Sequence, residues 1–435
     1  MSRLHWIGLA VAACPAWAAV AAPPPVPAPT PFVAASATTE LTLADAVGRA
    51  LRENPNLKAA AFSLRVQDAR RDQAALKPTW HGTLDAENFL GSGRLHGADA
   101  LETTLRLGTV IERGDKRARR IDSVDADKAL LAADQDVVRL DLLAEVARRY
   151  ITVAADEQAL ALAREASTLA QRGASLVEQR VKAAKAGDAE SGKARIAVAR
   201  TDIAEEHAEH ALKSARVALA ATWNARDPDF DRTSAAFFEL PAPESFEALV
   251  AALDRNPSLS RFASARRVED ARLALARSSR SADVTFNAGI RRLEAGNDQG
   301  FVLSVSVPFG SAARAAPFER EAEFRRDAID SEASAVRADL YRTLYALYQE
   351  LLHARTQSDA LRARVIPEAE RTLAHTEAGY ALGRYSYLEL VDAQQQLLTV
   401  RREAVDAARD YHLFFVELER LAGRALGVTV TEATP

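Results

Sequence analysis

The stretch Leu51-Arg52-Glu53-Asn54-Pro55-Asn56-Leu57 decides the fold, because the sequence contains two versions of it. The second version lies 202 residues later, as Leu253-Asp254-Arg255-Asn256-Pro257-Ser258-Leu259. Two further pairs of segments keep the same offset without a gap: Arg65-Val66-Gln67-Asp68-Ala69-Arg70 with Arg267-Val268-Glu269-Asp270-Ala271-Arg272, and Thr83-Leu84-Asp85-Ala86 with Thr285-Phe286-Asn287-Ala288. Three matches at one offset indicate a tandem duplication with units of about 200 residues.

Each unit repeats the same order of elements. A short amphipathic helix ends at the Asn-Pro pair, because proline cannot continue a helix and pushes the residue before it to extended geometry. A second helix is predicted after the pair, over 57–76 in the first unit and 259–277 in the second. The hydrophobic period then changes from 3.6 to 2, which predicts strands.

Four stretches of about ten residues alternate between apolar and polar residues, within 79–112 and 283–309. Their apolar faces carry Trp80, Gly82, Leu84 and Ala86; Leu101, Leu105, Leu107 and Ile111; Val284, Phe286, Ala288 and Ile290; and Phe301, Leu303, Val305, Val307 and Phe309. This is the length of a strand that crosses a membrane. The alternation fits two interpretations: membrane strands, or soluble hairpins packed on the helices.

Four membrane strands cannot close a barrel alone. A closed barrel needs at least about eight strands, because open edges leave N–H and C=O groups unpaired in lipid. Two or three copies of the chain must then combine their strands, with the polar faces lining the inside. The membrane interpretation therefore predicts an obligate homo-oligomer.

Two long helical regions follow the strand pairs, over about 115–223 and 318–422, with one proline, Pro367, in the second. Each is interrupted by one glycine turn, Gly187-Asp188 and Gly383-Arg384, which predicts two helical hairpins with tips at 187 and 383. Beyond the second tip, Glu389 and Asp392 stand three residues apart and share one helix face. Several copies would form a ring of carboxylates that attracts cations. The alternative is an ordinary solvated helix face.

Composition and the N-terminus exclude several classes of protein. The chain has 435 residues, a net charge of −4 and one cysteine, Cys14, so a broad nucleic-acid footprint and a disulfide framework are excluded. Residues 1–22 are predicted to be an export signal peptide, and residues 23–40 a proline-rich spacer. A second interpretation of the leader makes Cys14 a lipidation site.

Two motifs resemble functional sites without completing them. The segment 187–194 approaches a phosphate-binding loop, but Ala194 stands where Ser or Thr must hold magnesium. His207 and His210 stand among glutamates and suggest either a metal site or a charged outer face. No catalytic signature is present in the sequence, so we expect neither an enzyme nor a bound cofactor or metal.

The sequence resembles the TolC-type outer-membrane efflux channels over almost the whole mature chain. The resemblance rests on the duplicated Asn-Pro-x-Leu helices, the paired strands and the second-tip segment 378–394, AGYALGRYSYLELVDAQ. Segment 107–117 is most similar to the channels of heavy-metal efflux systems of the cobalt–zinc–cadmium type. The resemblance implies a mainly α fold with a β-barrel part. It implies a homotrimer that combines its strands into twelve in the outer membrane, above a long helical tunnel in the periplasm.

The resemblance also implies a domain division. The first repeat is expected over 41–223, an equatorial connection over 224–256, the second repeat over 257–422 and a C-terminal tail over 423–435. The implied partners are a periplasmic adaptor, an inner-membrane resistance–nodulation–division pump and outer-membrane lipid.

Site residues are assigned by the same resemblance. Glu389 and Asp392 correspond to the acidic rings at the pore entrance, and Tyr380 to a gating tyrosine. Tyr385, beside Arg384, occupies the gating arginine's position, and Lys193 that of the gating aspartate. The two tips, including Gly187, Asp188 and Gly383, would contact the adaptor.

The expected function is passive conduction, most simply of divalent heavy-metal cations. The tips would be closed at rest and would open when the adaptor binds the open state better. Three alternatives remain at this point: a channel of the same family for drugs or other organic compounds, a periplasmic helical adaptor or structural protein, and an exported enzyme with metal at His207 and His210.

Overall fold

A computed structural model describes residues 40–423 of the chain. The predicted signal peptide, Cys14, the spacer up to residue 39 and the tail beyond residue 423 lie outside the described residues.

The first unit runs from a short strand to a long helical hairpin. Its elements are β1 (Glu40–Leu41), α1 (Leu43–Glu53), α2 (Pro55–Ala74), β2 (His81–Glu87), β3 (Glu102–Ile111), α3 (Lys116–Lys182) and α4 (Asp188–Ala220). At about 1.5 Å per residue, the 67 residues of α3 extend over about 100 Å.

The second unit repeats this order after a short connection. Its elements are β4 (Arg232–Thr233), α5 (Phe246–Leu253), α6 (Pro257–Ser278), β5 (Val284–Leu293), β6 (Asp298–Ser306), α7 (Ser311–Ala360), α8 (Ile366–Ala381) and α9 (Tyr387–Leu421). None of the helices within residues 40–423 has the length and apolar character required to cross a membrane.

The two Asn-Pro pairs make the same contacts in both units. Asn54 accepts hydrogen bonds from the N–H groups of the first turn of α2, and its amide donates to the Thr222 carbonyl at 2.8 Å. Asn256 caps α6 in the same way and donates to the Leu421 carbonyl at 2.7 Å. Each asparagine thus starts one helix and binds the end of the hairpin that closes its unit, which is why the pair recurs at the repeat offset.

Two prolines change the second hairpin from the expected form. Helix α7 begins at Ser311, not near residue 318, and includes Pro317 in its second turn. This close to the N-terminus, the proline removes one main-chain hydrogen bond, which a long helix tolerates. Before Pro367 the chain forms a π-helical turn, Leu361–Val365, so the expected single helix is divided into α7 and α8. A local π turn accommodates the missing N–H and the ring.

The four long strands form one antiparallel sheet in the order β2-β3-β5-β6. The central pair joins the two units, with Leu105 opposite Ile290. One face is apolar and exposed, as Leu84 (69%), Leu105 (62%) and Phe301 (94%) show. The predicted alternation of the strands is therefore present, and the apolar face is not covered by the helices of the same chain.

The fourth strand is displaced from its predicted position. It covers Asp298–Ser306 and excludes Val307 and Phe309. Pro308 has no N–H to donate and ends the strand, while a tight turn at Glu294–Gly296 lets pairing with β5 begin at Asp298.

The hydrophobic core is distributed along the helices in separate clusters. One cluster around Tyr150, Leu219 and Trp223 joins α1, α3 and α4. A second one, around Leu351 and Tyr411, joins α5, α7 and α9. A third cluster lies near the hairpin tips and contains Val177, Leu373, Tyr380 and Leu390.

Candidate functional site at the helical tips

The two tips share one turn geometry. In the first, the N–H of Lys185 donates to the carbonyl of Arg180 at 2.8 Å, and in the second the N–H of Arg384 donates to Gly379 at 2.8 Å. Both are the 6→1 bonds of a helix C-cap with a left-handed residue. That residue is Gly383 (φ 79°) in the second tip but Ala184 (φ 56°) in the first. The helical region is interrupted at Gly187-Asp188, but Gly187 is not the left-handed residue: it is extended (φ −97°) and caps the start of α4.

Arg180 connects the two tips. Its guanidinium donates to the Tyr380 carbonyl at 2.6 Å and to the Lys185 carbonyl at 3.4 Å. The same group lies 4.7 Å from the centre of the Tyr380 ring, within the range of a cation–π contact. Its Nε is buried and has no hydrogen-bond partner among the described residues. One arginine thus closes its own turn and binds the last turn of α8.

Tyr380 is the buried centre of this contact. Its side chain is 1% exposed, and its hydroxyl donates to Glu190 of α4 at 3.4 Å. Burial, reinforced by the Glu190 carboxylate, raises the pKa of the Tyr380 phenol. The phenol therefore stays protonated at neutral pH and remains a donor to Glu190.

The predicted acidic residues lie at the start of α9. Glu389 completes a capping box: its carboxylate accepts from the Ser386 N–H at 2.7 Å and from the Ser386 hydroxyl at 2.8 Å. These hydrogen bonds lower the pKa of Glu389 and favour its charged form. Asp392 accepts from the Gln396 amide at 3.2 Å. Both side chains are exposed, so their charges face solvent in the single chain.

Tyr385 and Arg384 lie in the turn between α8 and α9. The ring of Tyr385 covers Gly379, where an added Cβ would lie 2.1 Å from its Cδ2 atom. Any larger residue at position 379 would require the Tyr385 ring to move. Arg384 is exposed and takes part in the turn through its main-chain N–H. Asp188 is in the first turn of α4, where its charge is favourable to the helix dipole.

Sequence reasoning missed Arg180 and Glu190. The resemblance puts Lys193 at the gating aspartate's position, but the carboxylate that meets Tyr380 belongs to Glu190, one turn earlier. Lys193 is exposed. The sequence predicts an acidic residue in the first turn of α4. It does not predict that Glu190 pairs with Tyr380, which lies 190 positions further along the chain.

The other two candidate sites, the segment 187–194 and the pair His207 and His210, both lie on α4 or at its start. The segment 187–194 begins α4 after a helix rather than after a strand. His210 lies 3.8 Å from Glu206 on the exposed surface of α4. Within the part of the chain that the structure describes, no group of three or more His, Cys, Asp or Glu side chains is arranged to hold a metal ion.

The polar face of the sheet carries a second group of charges. Arg106 of β3 pairs with Asp85 of β2. Arg291 of β5 donates to Glu102 and to the Thr104 hydroxyl, each at 3.0 Å. The face opposite the apolar one is thus crossed by acid–arginine pairs, a polar lining suited to water.

A sheet with one exposed apolar face, joined to long helical hairpins with paired tips, is the fold of TolC-type outer-membrane channels. Similar solved structures include a membrane protein from Pseudomonas aeruginosa (TM-score 0.72, 17% identity, 90% of this chain and 92% of that chain). CusC is similar as well (TM-score 0.71, 17% identity, 89% and 94%). So is the open state of the Neisseria gonorrhoeae MtrE outer membrane channel (TM-score 0.68, 19% identity, 88% and 89%).

The chain belongs to the outer membrane efflux protein family, whose model matches residues 46–225 and 248–424. It is 28% identical to the cobalt-zinc-cadmium resistance protein CzcC of Cupriavidus metallidurans, over 96% of this chain and 98% of that protein. It is 26% identical to the nickel-cobalt-cadmium resistance protein NccC of Alcaligenes xylosoxydans xylosoxydans, over 65% of each.

The family assignment places the protein in the outer membrane as an efflux channel. This is a family of efflux proteins and not of enzymes. The channel interpretation is therefore favoured over a periplasmic adaptor and over an exported enzyme, and the strands are membrane strands rather than soluble hairpins.

Proposed function

We propose that this protein is the outer-membrane channel of a tripartite efflux system that exports divalent heavy-metal cations. The observation that supports the substrate is the similarity to a cobalt-zinc-cadmium resistance protein over nearly the full length of both chains. The similarity to a nickel-cobalt-cadmium resistance protein points to the same class of ions. Divalent cations are the cargo in this proposal, and the channel conducts them without catalysing a reaction.

The channel is proposed to be a homotrimer. Strands β2 and β6 are the edges of the four-stranded sheet and lack a partner on one side within residues 40–423. Unpaired main-chain groups in lipid cost several kcal/mol each, so neighbouring copies must pair with both edges. Three copies supply twelve strands, and their acid–arginine faces line the water-filled interior.

The tips are proposed to be the gate and the adaptor-binding end. Arg180, Tyr380 and Glu190 hold the two tips of one subunit together. Three copies of Glu389 and Asp392 would surround the entrance with carboxylates that attract cations. A periplasmic adaptor that binds the open arrangement better than the closed one shifts the population toward it, and an inner-membrane resistance–nodulation–division pump supplies the energy. The adaptor would contact the tip residues Gly187, Asp188, Gly383, Arg384 and Tyr385.

The proposal is tested in a strain that lacks this gene but keeps its pump and adaptor. We expect the strain to become more sensitive to cobalt, zinc and cadmium salts, and expression of the intact protein to restore resistance. A panel of organic drugs serves as the comparison. Unchanged metal sensitivity combined with increased drug sensitivity would contradict the metal substrate and support an organic one.

A further inference from the structure

A groove of about 850 Å³ lies where the sheet meets the helices. Its lining includes the apolar side chains of Trp80 and Ile111 and the cations Lys77, Arg113 and Arg117. Ile111 is the last residue of β3 and Trp80 directly precedes β2, and both side chains are more than half exposed. The groove therefore joins an apolar surface to a cluster of cations.

These three cations differ from the charged residues around them. Arg119, Arg120 and Lys116 each pair with a carboxylate, at 3.0 Å (Asp122), 2.5 Å (Glu112) and 2.7 Å (Asp283). Across residues 40–423, no carboxylate lies within ion-pair distance of the Lys77, Arg113 or Arg117 side chains. Asp115 also lines the groove and is unpaired there, so the uncompensated charge of the groove is +2.

The end of α2 fixes one of these cations, Arg117, and the neighbouring Arg120. The Nε of Arg117 donates to the Ala75 carbonyl at 2.5 Å, and Arg120 donates to the carbonyls of Ala74 and Leu76 at 3.4 Å. These bonds satisfy the last carbonyls of the helix and place Lys77 beside the groove. At Arg113 the main-chain N–H donates to Asp283 at 3.1 Å, which fixes the backbone and leaves the guanidinium exposed.

The position of the groove identifies its environment. The apolar face of the sheet faces lipid in an outer-membrane channel, and the helices belong to the periplasmic part. The junction between them therefore lies at the headgroups of the periplasmic leaflet. Trp80 is placed where tryptophan is enriched in membrane proteins, at the boundary between hydrocarbon and headgroups.

We infer that this groove binds an anionic phospholipid of the periplasmic leaflet, with the lipid phosphate at Lys77, Arg113 and Arg117 and the acyl chains along Trp80 and Ile111. Charge complementarity supports this occupant, because each Lys or Arg near an anionic membrane surface contributes about 1 kcal/mol, or about fivefold in affinity. A zwitterionic phosphatidylcholine lacks the net charge that the groove would compensate. The inference rests on the outer-membrane location and not on the proposed metal substrate.

The test uses the full-length protein in nanodiscs of dioleoyl phosphatidylglycerol, phosphatidylcholine, or equal parts of both, followed by native mass spectrometry of the lipids that stay bound. We expect selective retention of phosphatidylglycerol by the native protein and retention weaker by roughly a hundredfold in the triple variant Lys77→Gln/Arg113→Gln/Arg117→Gln, since three contributions of about 1 kcal/mol are lost. The double variant Arg113→Lys/Arg117→Lys should retain the lipid. This variant keeps both positive charges, so it tests whether charge at these two positions is enough to retain the lipid.

A matched control removes the same charge elsewhere. Arg195, Lys213 and Arg402 are exposed on α4 and α9, outside the groove, and their change to Gln should leave retention unaltered. Equal phosphatidylglycerol retention by the native and triple-variant proteins overturns the inference, as does equal retention of phosphatidylcholine. Displacement of the lipid by excess inorganic phosphate alone would show a phosphate site instead. Loss of the oligomer in the triple variant, with lipid still bound to single subunits, would show a contact between copies.

Discussion

The guanidinium of Arg180 and the main-chain carbonyl of Tyr380 are joined by a hydrogen bond of 2.6 Å, although 200 residues separate them in the chain. This bond links the end of α3 to the end of α8, and therefore the first tip to the second. Two neighbouring interactions, the cation–π contact with the Tyr380 ring and the bond from its hydroxyl to Glu190, act on the same residue.

Removing Arg180 should loosen the closed arrangement of the tips. In Arg180→Gln the charged hydrogen bond and the cation–π contact are lost, which together stabilise by about 2 kcal/mol. In the proposed gate, where opening breaks this contact, a change of that size raises the open population by about thirtyfold. Planar-bilayer conductance measures it, and Arg172→Gln, an exposed position on the same helix, is the control. Equal resting conductance in all three proteins would show that Arg180 does not hold the tips.

The two left-handed tip residues predict opposite effects of substitution. Ala184→Gly should stabilise the first turn by about 0.5 kcal/mol, because glycine removes the Cβ strain but adds freedom to the unfolded chain. Gly383→Ala should destabilise the second turn by about 1 kcal/mol. Hydrogen exchange of the Lys185 and Arg384 amides, which close the turns, measures both. Slower exchange in Gly383→Ala would contradict the assignment.

Loss of the asparagine cap should weaken the second unit. Asn256 is 0% exposed, and Asn256→Ala removes a helix cap and leaves the Leu421 carbonyl without its donor. We expect a loss of about 2 to 3 kcal/mol, seen as a lower apparent Tm in detergent. The exposed Asn56→Ala, two residues beyond the other cap, should leave Tm within error. Equal Tm values for the two variants would contradict the stabilising role of Asn256.

His412 should make stability depend on pH. Its Nε2 donates to the Phe237 carbonyl at 2.9 Å, and burial lowers its pKa below the usual value. The folded form thus resists protonation, so stability is complete above about pH 6.5 and is lost as the pH falls toward the lowered pKa. The loss is limited to about 1.4 kcal/mol per pH unit. His412→Gln should reduce the fall in Tm between neutral and acidic pH. Carboxylates titrate in both proteins over this pH range. The contribution of His412 is therefore the difference between the fall in Tm of the native protein and the fall in Tm of His412→Gln.

Neutralising the acidic residues of the second tip should reduce cation preference. Glu389→Gln with Asp392→Asn removes six carboxylates from the proposed trimer and should move the reversal potential in a salt gradient toward zero. Glu53→Gln with Glu332→Gln removes the same number of exposed carboxylates elsewhere. An unchanged reversal potential in the first double variant would place Glu389 and Asp392 outside the ion path.

The repeated and periodic features of the fold could be predicted from the sequence. The Asn-Pro pairs specify a helix start by local chemistry, and two-residue alternation specifies a strand with one apolar face. Contacts between distant segments could not be predicted in this way. Glu190 and Tyr380 meet because two hairpins pack side by side, and neither segment carries a signal of the other. The left-handed Ala184 was missed since glycine is the usual residue at such a turn, and Gly187 lay close by.

The pairing of β3 with β5 has a consequence for how the protein is made. Ten residues of β3 face ten of β5, from Glu102 opposite Leu293 to Ile111 opposite Val284, with the whole first helical hairpin between them. Such a sheet has high contact order and forms slowly. During export, β2 and β3 therefore lack their partner strand β5 until residue 293 has been translocated. Insertion into the bilayer must therefore wait for the far half of the polypeptide, and a nascent chain truncated between the halves would be a target for periplasmic proteases.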